Sequence, residues 1–177
     1  DYIIVHRECG ICRLLAEYMM EVRLNGRVYT CLEQLREQAD EELFLFLEEW
    51  FDDRSYVLGH TSGSTGAPKE IQLSKADMRA SARMTNAFFA IDRESVLLLC
   101  LSVSYIAGKM MVVRALEAGA ELLTVKVSSH PLRITGQEEY VDRRIDLAAM
   151  VPMQVEESMK SESDKQRFGY IRHLIIG

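Results

Sequence analysis

His60-Thr61-Ser62-Gly63-Ser64-Thr65-Gly66-Ala67-Pro68-Lys69-Glu70-Ile71 is the stretch on which the reading of the whole chain turns. Gly63 and Gly66 let the backbone come close to a ligand and take positive φ. Hydroxyls on Thr61, Ser62, Ser64 and Thr65, together with the loop N–H groups, are donors suited to phosphate oxygens. Pro68 stiffens the exit, and Lys69 brings a point charge to the rim. This combination suits a triphosphate whose pyrophosphate must be held while charge moves onto it. It is not the G-x-x-x-x-G-K-[ST] loop, because Lys69 precedes Glu70, and no G-x-G-x-x-G occurs. A solvated Ser/Gly linker would share the composition. The apolar flanks at 56–59 and 71–73 argue against a linker.

Working outward, residues 55–61 and 70–73 read as short strands on either side of this loop. Ser74, with Asp77 three residues on, resembles a capping box opening a helix that runs to about Ala90. The pattern then alternates. Strands are expected at 95–101, 121–127, 146–150 and 170–176, and helices at 106–117, 136–144 and from Pro152 to about Ser161. Gly119 fits just past the end of the second helix. Residues 160–167 read as a polar surface loop. Upstream, the first fifty residues read as helical, with Leu32, Leu35, Leu43, Phe44, Leu47 and Trp50 at helical intervals and a break near Ala39-Asp40. Alternating strands and helices predict an α/β fold with a largely parallel sheet flanked by helices. The expected division is a helical N-terminal region, 1–54, and an α/β subdomain, 55–177. The apolar run that stops at Gly177 reads as cut, so a piece of a longer protein is expected.

Composition bounds the rest. The chain has 177 residues, 48% hydrophobic and 27% charged, which suits one folded domain and not a disordered chain. A net charge of −6 argues against a general nucleic-acid surface. No apolar run reaches the roughly 18 residues a membrane helix needs. Asp1-Tyr2-Ile3-Ile4-Val5 lacks the basic start and cleavage site of a secretory leader, so a cytoplasmic setting with reduced cysteines is expected. Cys9-x-x-Cys12 offers half of a zinc site that His6 and Cys31 would complete, or a redox pair. It also fits the apolar stripe of a helix with Leu15, Ala16 and Met19. No metal ligand set is predicted, and no nucleophilic triad is visible.

The nine positions from Thr61 to Lys69, TSGSTGAPK, resemble the phosphate-binding signature of the adenylate-forming superfamily: acyl-CoA synthetases, luciferases and peptide-synthetase adenylation domains. The family pattern continues with Gly where this chain has Glu70. Leu101-Ser102-Val103-Ser104-Tyr105-Ile106-Ala107-Gly108 is similar to the family's L-P-L-F-H-x-x-G segment beside the acyl pocket, with Ser102 for Pro and Tyr105 for His. Val151-Pro152-Met153-Gln154 looks like V-P-T-x, and Leu174-Ile175-Ile176-Gly177 like the start of the strand ending in G-G-A/E. Within the superfamily, the phrase from Tyr105 to Leu116 is most similar to o-succinylbenzoate–CoA ligases of menaquinone biosynthesis.

The resemblance implies part of the large N-terminal domain of an AMP-forming acid–CoA ligase. Such an enzyme uses ATP with Mg²⁺ to make an acyl-adenylate, then passes the acyl group to CoA. Thr61, Ser62, Gly63, Ser64, Thr65, Gly66 and Lys69 would hold the ATP phosphates, Lys69 also assisting pyrophosphate departure. Tyr105, Gly108, Lys109 and Arg114 would belong to the acyl pocket, a cation there answering the second carboxylate of o-succinylbenzoate. Lys109 and Arg114 differ by about 500° of helical rotation, so at most one faces a given pocket; each also has a plain structural reading. The family's ribose-binding Asp, metal-binding acid and C-terminal Lys would lie beyond Gly177, so this chain alone is expected to be inactive. Two alternatives stay open: another aryl or fatty acid as substrate, and a non-catalytic nucleotide-binding or interaction module.

Overall fold

The computed structural model describes residues 21–61, 69–133 and 143–177. Eight strands and six helices follow in order among them. They are β1 Val22–Leu24, β2 Arg27–Tyr29, α1 Leu32–Leu35, α2 Glu41–Phe51, β3 Tyr56–Thr61, β4 Lys69–Ser74 and α3 Lys75–Phe89. Then come β5 Val96–Leu99, α4 Ile106–Ala118, β6 Glu121–Thr124, β7 Ile145–Met150, α5 Pro152–Met159, α6 Glu162–Phe168 and β8 Ile171–Ile176. The main sheet runs β2-β1-β6-β5-β7-β8 and is parallel except for the β1–β2 pair. β3 and β4 form a separate antiparallel hairpin. The expected α/β architecture with a largely parallel sheet is what forms.

The sheet is covered on both faces, which explains why β5 is an unbroken apolar run, Val-Leu-Leu-Leu, buried at every position. Leu97 and Leu99 turn to one face, into a core shared with α2, α3 and α4. Val96, Leu98 and Cys100 turn to the other, against Val155 of α5 and Phe168 of α6. Burial pushes the Cys100 thiol up to about 12, and Cys100 Sγ donates to the Ala149 carbonyl at 3.2 Å. It is a packing residue.

Local chemistry fixes the element ends. The Ser74 hydroxyl accepts from the Asp77 N–H at 3.2 Å and caps α3, as its sequence predicts. Gly119, at φ 62°, closes α4 in the left-handed conformation, also as predicted.

Two readings are corrected. Residues 22–29 are a hairpin, not helix: Asn25 and Gly26 have φ of 49° and 78°, the left-handed pair of a two-residue turn, and β1 joins the main sheet beside β6. Residues 160–167 are not only loop, because Ser161 caps α6, with Glu162 and Asp164 in its first turn and Lys165 and Arg167 in its last, matching the helix dipole. The helix expected over 136–144 falls largely outside the described residues; Arg143 and Arg144 carry no regular structure. His6 and the Cys9–Cys12 pair also lie outside them.

Candidate active site

The strand order places one special point at the carboxyl edge of the sheet. From β5 the chain crosses to β6 on one side, and β7 then pairs on β5's other side. Parallel sheets bind ligands where the connections diverge in this way. Two loops emerge there: residues 100–105 after β5, and Val151 after β7.

The β3–β4 hairpin stands next to this point. Its register runs from Tyr56 opposite Ser74 to Thr61 opposite Lys69. The latter pair closes the loop of residues 62–68, which lies outside the described residues. His60 forms an isolated parallel bridge with Tyr105, tying the loop's base to the 100–105 segment. The hairpin is held from below by α2. The Leu58 N–H donates to Glu49 Oε1 at 2.7 Å. The buried Lys75 ammonium donates to Asp52 Oδ1 at 2.8 Å and to the Asp52 carbonyl at 3.0 Å. Burial alone would raise the Asp52 carboxyl, but Lys75 and Arg54 outweigh it and bring its pKa down to about 2.

The predicted acyl-side residues separate. Tyr105 sits at the N-terminus of α4 with half its surface exposed, 51%. Gly108 is buried, and a Cβ there would stand 2.2 Å from the Ser102 carbonyl oxygen, so α4 lies directly on the 102–103 backbone. Lys109 is 5% exposed, its ammonium 4.4 Å from the centre of the Phe46 ring; burial lowers its pKa against the opposing pull of Glu49 and Glu42. Arg114 donates to Met111 Sδ at 3.4 Å, and burial lowers its pKa as well. The Lys109 ammonium faces Phe46 of α2, whereas the Arg114 guanidinium is held by Met111 on its own helix.

A cleft of about 1130 Å³ opens at the same carboxyl edge, among Asn25, Asp40, Glu42, Ser102, His130 and Arg133. Gln154, 3% exposed, ties Ser128 of the cleft wall to the ends of β5 and β7: Nε2 donates to the Cys100 carbonyl at 3.0 Å and the Ser128 carbonyl at 2.9 Å, and Oε1 accepts from Val151 N–H at 3.2 Å. Sequence reasoning did not single out Glu42 or Gln154 as site residues. Their partners lie 60 and 54 positions away, beyond any local pattern, although Gln154 follows Pro152 where a helix-opening side chain is expected. Among the described residues no three His, Cys, Asp or Glu side chains group to hold a metal ion.

A model of AMP-binding enzymes matches residues 23–177. The chain belongs to the AMP-binding enzyme family. No curated protein matches it. Among solved structures, an acyl-CoA synthetase (AMP-forming)/AMP-acid ligase II-like protein from Dyadobacter fermentans is 30% identical with a TM-score of 0.72. That match covers 84% of this chain and 42% of the other. ATP-bound MatB from Rhodopseudomonas palustris is 20% identical with a TM-score of 0.55, over 68% of this chain and 23% of that one. The o-succinylbenzoate CoA synthetase of Bacillus subtilis, in complex with the acyl-adenylate OSB-AMP, is 19% identical with a TM-score of 0.52, over 68% and 30%. The last two share the fold. The AMP-binding chain spans less than half the length of the solved structures it matches. None of its described helices is long and apolar enough to cross a membrane.

Proposed function

We propose that this chain is the phosphate-loop part of an AMP-forming acid–CoA ligase. The observation that carries the reading is the β3–β4 hairpin, which closes a Gly/Ser/Thr loop at Thr61 and Lys69 beside the diverging carboxyl ends of β5 and β7. Residues 62–66 supply glycines for close approach and hydroxyls for phosphate oxygens; Lys69 supplies charge at the loop's return.

The reaction needs no protein nucleophile. The acid's carboxylate oxygen forms a bond to the α-phosphorus of ATP as the bond to pyrophosphate breaks, and both electrons of that bond leave with pyrophosphate. The loop's task is to orient the β- and γ-phosphates and stabilise the departing charge. Mg²⁺, arriving with ATP, would neutralise part of that charge. In a second step the CoA thiol displaces AMP from the acyl-adenylate. Tyr105 is assigned to the acyl side of the loop. Gly108, Lys109 and Arg114 are given structural tasks, because each packs inward. Residues 55–177 are read as the ATP- and acyl-binding unit, its sheet extended by β1 and β2 and its loop hairpin buttressed by α2.

The acid is read as o-succinylbenzoate, supported by the phrase from Tyr105 to Leu116. A second reading, another aryl or fatty acid, is favoured by the inward packing of Lys109 and Arg114, the two cations available on α4 for a second carboxylate. Acid-dependent ATP–pyrophosphate exchange separates the two. It is run on the longest natural polypeptide containing this segment, with o-succinylbenzoate and a panel of aryl and fatty acids, followed by CoA thioester formation. Exchange with o-succinylbenzoate supports the first reading and exchange with another acid the second. A folded protein that exchanges with none is a non-catalytic nucleotide-binding relative.

A further inference from the structure

Glu42 stands in the first turn of α2, sixty positions before the segment it touches. Ser102 Oγ donates to Glu42 Oε2 at 2.7 Å, and Ser104 Oγ donates to Glu42 Oε1 at 3.3 Å. The Ser104 N–H donates in turn to Ser102 Oγ at 3.1 Å. One carboxylate therefore spans two serines that bracket Val103, itself 4% exposed in the core. From the other side, Gly108 lies against the Ser102 carbonyl, which also accepts from the Tyr105 N–H at 3.3 Å. The turn that delivers Tyr105 to the loop hairpin is thus held by α2 on one side and α4 on the other. Ser102 occupies the place where the related segment has Pro, whose ring restrains its own backbone. Here an external carboxylate supplies the restraint.

We propose that Glu42 is a positioning residue for the acid substrate: by fixing Ser102 and Ser104 it sets Tyr105 against the His60 side of the phosphate-loop hairpin. This rests on the reading of Tyr105 as a wall of the acyl side. The clamp acts on the 102–105 turn, whereas ATP is held by the hairpin loop, so its loss falls on the acid. A carboxamide preserves the clamp, because serine hydroxyls accept as well as donate: the amide oxygen serves one serine and the amide N–H the other. Alanine cannot.

The test uses the longest natural polypeptide containing this segment, with o-succinylbenzoate, benzoate and a medium-chain fatty acid as probes in ATP–pyrophosphate exchange. Glu42→Ala should raise the KM for the acid on the order of 3–10-fold, the value of one or two hydrogen bonds, with the KM for ATP moving less than about twofold. Glu42→Gln should stay within about twofold of wild type on both. Ser104→Ala should give a smaller rise in acid KM, and adding it to Glu42→Ala should produce little further change, since its partner is already gone. Glu42→Ala that lowers Tm but leaves the acid KM unmoved would make Glu42 a purely structural contact and overturn the proposal. Equal rises in acid and ATP KM would overturn it too. If Glu42→Ala does not fold, Ser104→Ala decides by the same two constants. Wild-type protein that exchanges with no acid brings down the adenylation reading first and this proposal with it, a result visible before any variant is made.

Discussion

Gly108 shows how a single missing atom places the start of α4. Adding a Cβ there brings it to 2.2 Å from the Ser102 oxygen and 2.6 Å from the Ser102 carbonyl carbon, both backbone atoms that cannot swing aside. Gly108→Ala should therefore cost about 1–3 kcal/mol of stability, read as a lower urea midpoint. Glu121 makes a different kind of residue-scale prediction. It accepts from the Gly26 N–H at 2.7 Å and from both arms of the Arg143 guanidinium, at 2.7 and 2.5 Å. Burial alone would raise its carboxyl pKa, but Arg143, Gly26 and the charge of Arg23 outweigh it and hold the group below the ordinary carboxylate range. A depressed folded pKa means stability that is present above the unfolded value, near pH 4.3, and lost as pH falls through the folded one. Glu121→Gln should lose about 1–2 kcal/mol at pH 7, moderated because the Arg143 side chain is 35% exposed. The difference from wild type should shrink steadily below about pH 4.3 in urea unfolding series.

At the scale of elements, Gln154 joins three segments that local structure leaves independent: the end of β5, the 128–133 loop and the start of α5. Gln154→Leu keeps the volume and leaves the buried Cys100 carbonyl and the partly buried Ser128 carbonyl without their donor. It should cost about 1–3 kcal/mol and speed amide exchange in residues 128–133, measured by mass spectrometry. Elements with strong periodicity or punctuation were legible in the sequence. The strands β3 and β4, the Ser74 cap, the buried β5 and the Gly119 stop of α4 all form where residue chemistry points. The β1–β2 hairpin escaped a reading based on helical spacing, although Asn25-Gly26 carries the strongest short-range hairpin signal. α6 escaped because its seven residues are almost all polar, so no apolar stripe marks it; only its Ser161 cap does. In the candidate site the two strands that flank the loop could be read locally. Glu42, Gln154 and the inward turn of Lys109 could not, since each depends on contacts between distant segments.

For the whole molecule, family and fold agree with the sequence reading: an AMP-binding enzyme with a parallel sheet covered on both faces and a hairpin at its carboxyl edge. On the proposed function, this hairpin presents a loop that holds ATP phosphates during acid activation. The most direct measurement is acid-dependent ATP–pyrophosphate exchange by the longest natural polypeptide containing the segment, wild type beside Lys69→Ala. Removing one charge-stabilising donor of this kind should lower the exchange rate on the order of 10²–10³ while the protein stays folded. A folded Lys69→Ala protein that exchanges at the wild-type rate would contradict the account.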